Sequence, residues 1–146
     1  MNAEQRRLHR IACDVGRQCL ARRAGILSRK LTRIYDNALR PLGLTSSQLG
    51  ILGAIAANPG ARASELHRRL ELEQSSFSRN AALMELRGWI EKRPAEDDRG
   101  QKLRLTKAGS VLLARAIPHW RTAQRQAKRI LGDDAQTFAD LVDEHC

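Results

Sequence analysis

Apolar residues recur at three- and four-residue steps over Leu20–Leu39, where Ile26, Leu27, Leu31, Ile34, Ala38 and Leu39 alternate with Arg and Lys. This spacing predicts a long amphipathic helix, ended by Pro41 and Gly43. Thr45 stands three residues before Gln48, as in a capping box. It opens an apolar run through Leu49, Ile51, Leu52, Ile55 and Ala56, which Asn58-Pro59-Gly60 stops. A short helix from about residue 63 to 70 follows, with Leu66 and Leu70 on one face. A longer one begins near Gln74, carries Phe77, Ala81, Leu83 or Met84, and Leu86 inward, and closes at Gly88. Two such helices across a tight turn form a helix-turn-helix.

Beyond Gly88 the period shortens. Trp89–Arg93 and Lys102–Leu105 read as two strands around the polar turn 95–100. The hairpin is a wing on the helical pair. Thr106 is placed to cap a long helix running to about Leu131, which Pro118 is expected to kink or split. Gly132-Asp133-Asp134 restarts the chain into a final short helix with Phe138, Leu141 and Val142. The fold class is mainly α with a small β-hairpin wing: a winged helix-turn-helix flanked by N- and C-terminal helices. Three regions are expected: an N-terminal arm and dimerisation helix (1–40), the winged domain (41–106) and C-terminal dimerisation helices (107–146). The flanking helices have more apolar face than the small middle domain can cover, so a symmetric second copy is expected to cover the rest.

Composition narrows the partner. The 146 residues carry a formal net charge of +10 and only 3% aromatic residues. Residues 1–40 hold ten Arg or Lys against three acids, 41–106 ten against eight, and 107–132 six against none; the last fourteen hold five acids and no Arg or Lys. A basic balance suits a polyanionic partner, and equally a ribosomal, RNA-associated or membrane-surface role. No run of 18 apolar residues crosses a membrane, and no secretory signal is read at the N-terminus. The expected location is the cytoplasm. Cys13, Cys19 and Cys146 match neither a disulfide framework nor a zinc pattern, and His9, His67, His119 and His145 are far apart in sequence. No cofactor or metal is expected.

A helix seated in the major groove meets distinguishable base edges, while the helix before it crosses the backbone. Gln74, Ser75, Ser76, Ser78, Arg79 and Asn80 suit the entering end, because small hydroxyls allow close approach and still exchange hydrogen bonds. Arg79 can read guanine or grip phosphate, and the residue type alone leaves both open. Phe77 is the anchor turned into the core. Arg99, at the hairpin tip, suits a narrow minor groove of negative potential; it can equally pair with Asp97 or Asp98. A thiol enzyme is the rival class: Cys19 has Arg17, Arg22 and Arg23 nearby in sequence, but no base at helical spacing. The chain is expected not to be an enzyme.

The stretch Ala38-Leu39-Arg40-Pro41-Leu42-Gly43-Leu44-Thr45 with Gln48, then Glu65-Leu66, Gly88, Asp97-Asp98-Arg99-Gly100 and Leu105-Thr106-Lys107-Ala108-Gly109, resembles the MarR family of bacterial regulators over roughly residues 20–130. The resemblance implies a homodimer that represses, or less often activates, at pseudo-palindromic duplex operators and leaves them on binding a small molecule or on oxidation. It places Ser75, Ser76, Ser78 and Arg79 among recognition-helix contacts, Arg99 on the wing arginine and Asp97 on the acid that braces the wing. Arg62 departs from it, standing where members often have a Thr or Ser cap, so the short helix is expected to start less firmly. Members that sense aromatic compounds hold them between the dimer helices and the DNA-binding lobe; this aromatic-poor sequence marks no such pocket. The organic-hydroperoxide-sensing branch oxidises a cysteine in the region of Cys19. That similarity makes Cys19 a candidate redox sensor, with Cys13 or Cys146 as resolving thiol, although the branch holds its reactive sulfur with tyrosines, whereas Leu20, Ala21 and Ala24 surround Cys19 and the only tyrosine is Tyr35. Without such a role Cys19 is a small apolar filler.

Overall fold

The computed structural model describes residues 1–96 and 100–143. Seven α-helices and one two-stranded sheet are seen among them: α1 (Ala3–Gln18), α2 (Leu20–Leu39), α3 (Ser46–Ala57), α4 (Ala63–Arg69), α5 (Gln74–Leu86), β1 (Ile90–Pro94), β2 (Gln101–Leu105), α6 (Lys107–Leu131) and α7 (Ala135–Asp143). Single 3-10 turns at Arg40–Leu42 and Gly132–Asp134 join α2 to α3 and α6 to α7.

The local signals act as their chemistry requires. Thr45 accepts from the Gln48 N–H, and the Gln48 side chain accepts from the Thr45 N–H, both at 3.2 Å. This reciprocal box starts α3. Thr106 caps α6 by accepting from the Gly109 N–H at 3.0 Å. Arg62 has no side-chain acceptor to offer, and α4 starts instead from its third residue: Glu65 accepts from the Arg62 N–H at 3.0 Å. Gly88 ends α5 at φ +72°, a left-handed conformation that glycine adopts without a Cβ penalty. The Gly88 and Trp89 N–H groups donate to the carbonyls of Glu85 and Met84, each at 2.9 Å.

Leu39, Leu44, Ile51, Leu52, Ile55, Leu66, Phe77, Met84, Ile90 and Leu103 are buried together, so one aliphatic core joins the end of α2 to the winged lobe. The strands pair antiparallel, with Ile90 opposite Leu105 and Lys92 opposite Leu103. Ahead of α4, the Ala61 carbonyl accepts from the Leu103 N–H at 3.2 Å and extends the sheet edge. Away from the lobe, α2 lies along α6, where Ala123 and Ala127 are buried. Two polar ties cross this pair. His119 Nδ1 donates to the Ala38 carbonyl at 2.9 Å, and the Tyr35 hydroxyl donates to Gln124.

The N-terminal arm is itself a helix over residues 3–18, started by reciprocal bonds between Asn2 and Gln5 at 2.8 Å. One expectation is overturned and another narrowed. Leu86 faces outward and is 84% exposed; at 100° per residue it lies opposite Phe77, whereas Ala81 and Met84 share that residue's side. Pro118 does not split α6, which runs unbroken from Lys107 to Leu131. Both Pro118 and Ala114, whose carbonyl loses its helical partner to the proline, lie on the exposed side of the helix and not in the core.

Candidate nucleic-acid interface

Helix α5 is held by one face and offers the other. Phe77, Ala81 and Met84 are buried at four- and three-residue steps, and the His67 ring of α4 lies 6.1 Å from that of Phe77. The rest of its surface exposes Gln74, Ser75, Ser78 and Arg79, while Ser76 and Asn80 are half-buried. The Arg79 guanidinium lies 3.4 Å from the Ser76 hydroxyl, a loose contact that leaves most of its donors to solvent. Asn80 differs, because its amide donates to the Ser76 carbonyl of its own helix at 3.0 Å. The predicted group thus divides into an outward set (Gln74, Ser75, Ser78, Arg79) and a half-buried pair committed to the helix.

The hairpin is fixed beside this helix from several sides. Lys92 of β1 pairs with Glu85 of α5 at 2.8 Å. Arg87 stacks over Trp89 at 4.9 Å while donating to the Gly43 carbonyl at 2.9 Å. Thr106 donates to the Gly88 carbonyl at 2.5 Å. The strands also expose Arg93, paired with Glu91 at 3.0 Å, and Arg104. Arg99 and Asp97, assigned to the wing tip, lie outside the described residues.

The turn between α4 and α5 holds Glu71 at φ +49°, the one non-glycine positive φ among the described residues. Its N–H donates to the Arg68 carbonyl at 3.1 Å, and that of Leu72 to the His67 carbonyl at 3.0 Å. These bonds set the angle at which α5 leaves α4.

Cys13 and Cys19 are free thiols of intermediate burial, and Cys146 lies outside the described residues. Cys19 is the residue between α1 and α2, where Arg22 and Arg23 donate back to the Gly16 and Arg17 carbonyls at 2.9 and 2.6 Å. Cys13 Sγ lies 3.6 Å from His9 Nε2. The four-residue spacing of this pair becomes visible once residues 3–18 are helical. Among the described residues no group of three or more His, Cys, Asp or Glu is arranged to hold a metal, and no helix is long and apolar enough to cross a membrane.

A second feature escaped sequence reasoning. A cavity of about 430 Å³ opens between α2, α3 and α6, walled by Leu49, Leu113, Ile117 and Trp120. Tyr35 and Ser46 supply its polar edge, and Gly50 and Gly53 its floor. Burial raises the Tyr35 pKa above the ordinary tyrosine value. The two glycines were the available signal: three residues apart inside a helix, each costs about 1 kcal/mol relative to alanine.

A family model described as the MarR family matches residues 42–99. The multiple antibiotic resistance protein MarR of Salmonella typhimurium is 27% identical over 126 residues, covering 84% of this chain and 88% of that protein. The M. tuberculosis transcriptional regulator MosR, solved in complex with DNA, is 30% identical with a TM-score of 0.77, covering 86% of this chain and 92% of that one. A mutant of E. coli MarR complexed with operator DNA superposes at a TM-score of 0.77 and 20% identity, a likeness of fold.

Proposed function

Because the chain belongs to the MarR family of transcription regulators, we propose that it binds duplex DNA sequence-specifically as a homodimer, through α5 and the hairpin, and represses transcription from a pseudo-palindromic operator. The carrying observation is the division of α5 into a buried apolar face and an exposed face of Gln74, Ser75, Ser78 and Arg79. Short polar side chains permit close approach of a helix to base edges, and Arg79 adds a long cationic donor. MosR, the relative at 30% identity, was crystallised on DNA. Arg99 is assigned to the minor groove and Asp97 to bracing the wing.

Dimerisation is supported by what the single chain leaves uncovered. No residue of α1 is buried, and Leu8, Ile11 and Val15, at helical spacing, are each about half exposed or more. At the other end Leu141 is 65% exposed. A two-fold copy covering these faces sets two α5 helices about one DNA turn apart. Residues 1–40 and 107–146 then serve dimerisation and 41–106 reading.

Release is assigned to the cavity under α3. It joins the α2–α6 pair to the lobe, so a bound molecule alters the angle between them. Oxidation of Cys19 is the second assigned route, since an enlarged sulfur at the α1–α2 elbow strains the arginine–carbonyl bonds there. Selecting bound fragments from the source genome tests the DNA reading. Enrichment of a shared two-fold motif is expected; unselective retention, or equal displacement by an RNA stem-loop, contradicts it.

A further inference from the structure

We propose that the cavity between α2, α3 and α6 takes a neutral, ring-containing lipophilic molecule and rejects an aromatic carboxylate of the same shape. This rests on the reading of the cavity as an effector site and adds the charge class of the ligand.

The floor is the first argument. Gly50 and Gly53 lie three residues apart inside α3, so they share a helix face. Neither has a positive φ, and a Cβ built on either meets nothing within 4 Å. Backbone conformation and close packing therefore both fail to explain glycine at these positions. A side chain at either would fill the cavity, and the open volume is what the two glycines preserve. At about 430 Å³ that volume falls among those of small-molecule sites.

The electrostatics are the second. Among the described residues of the chain, no Lys, Arg or His lines the cavity. The Asp36 carboxylate accepts from the Ser46 N–H at 2.7 Å, which sets a negative charge against the rim. An entering carboxylate would lose water, find no cation and meet a like charge. The Tyr35 hydroxyl is already donated to Gln124. The Ser46 hydroxyl, without a hydrogen-bond partner among the described residues, is left as a neutral polar handle. Trp120, 38% exposed, supplies an aromatic wall for stacking.

Naphthalene-2-carboxamide and 2-naphthoate match in shape and differ in charge. Calorimetric titration of each into the full chain, without DNA, is expected to show the carboxamide binding at least tenfold more tightly. Gly53→Leu, or Gly50→Leu if the first does not fold, is expected to lower carboxamide affinity at least tenfold with an intact melting transition. Naphthoate binding as well or better, binding of neither, or a folded leucine variant with unchanged affinity would each overturn the proposal. Operator titrations run beside these separate the two readings. Carboxamide binding that leaves operator affinity unchanged supports the ligand class and removes the effector role. Release by naphthoate alone supports the effector role and overturns the ligand class.

Discussion

A Cβ on Gly109 would sit 1.9 Å from the carbonyl oxygen of Trp89. Through this approach α6 rests directly on the first residues of the wing, and three further bonds converge there. The Trp89 carbonyl accepts from the Thr106 N–H at 3.1 Å, while Thr106 Oγ1 donates to Gly88 and accepts from Gly109. The obstacle is backbone and cannot turn aside. Gly109→Ala is therefore expected to cost about 3 kcal/mol, the upper end of ordinary overpacking. Denaturant unfolding followed by circular dichroism checks this; a loss below about 0.5 kcal/mol would show that the junction yields.

Arg79 and Asn80 are adjacent in sequence and differ in commitment. Arg79→Ala is expected to weaken operator binding, by about 1–3 kcal/mol if it reads a base. Asn80→Ala, which removes an amide bound to its own helix, should cost less. Fluorescence anisotropy on the selected operator and on a scrambled duplex tests both. If Asn80→Ala proves the more damaging, the outward set has been chosen wrongly.

Arg99 is assigned a charge contact in the narrow groove. Its alanine variant should bind more weakly and lower the slope of log affinity against log salt by about one unit. An unchanged slope and affinity would remove Arg99 from the interface.

For Cys19 the expected outcome is that stoichiometric peroxide weakens operator binding by the wild type and leaves Cys19→Ser unaffected. Equal weakening of both would make the thiol a packing residue.

Signals confined to a few consecutive residues were legible in the sequence. The Thr45–Gln48 box, the Gly88 stop and the Thr106 cap each act through bonds spanning three to five residues, so spacing alone locates them. The α5 anchor Phe77 was legible for the same reason, since its helical period carries Ala81 and Met84 to one side. Leu86 misled because hydrophobicity was read without its angle. Helix α1 was obscured by its composition: arginines surround an apolar stripe of Leu8, Ile11, Ala12 and Val15, and none of the stripe is buried within the chain. The cavity was the least legible feature. Its walls come from the consecutive helices α2 and α3 and from the distant α6, and only their packing makes Trp120 and Gly53 neighbours of one space.

A hydroxyl-radical footprint on the selected operator, with the stoichiometry measured in the same complex, tests the central claim most directly. Two chains per duplex are expected, with two symmetry-related major-groove contacts centred about one helical turn, roughly 34–36 Å, apart. A single protected groove with one bound chain would contradict the account, as would protection without two-fold symmetry.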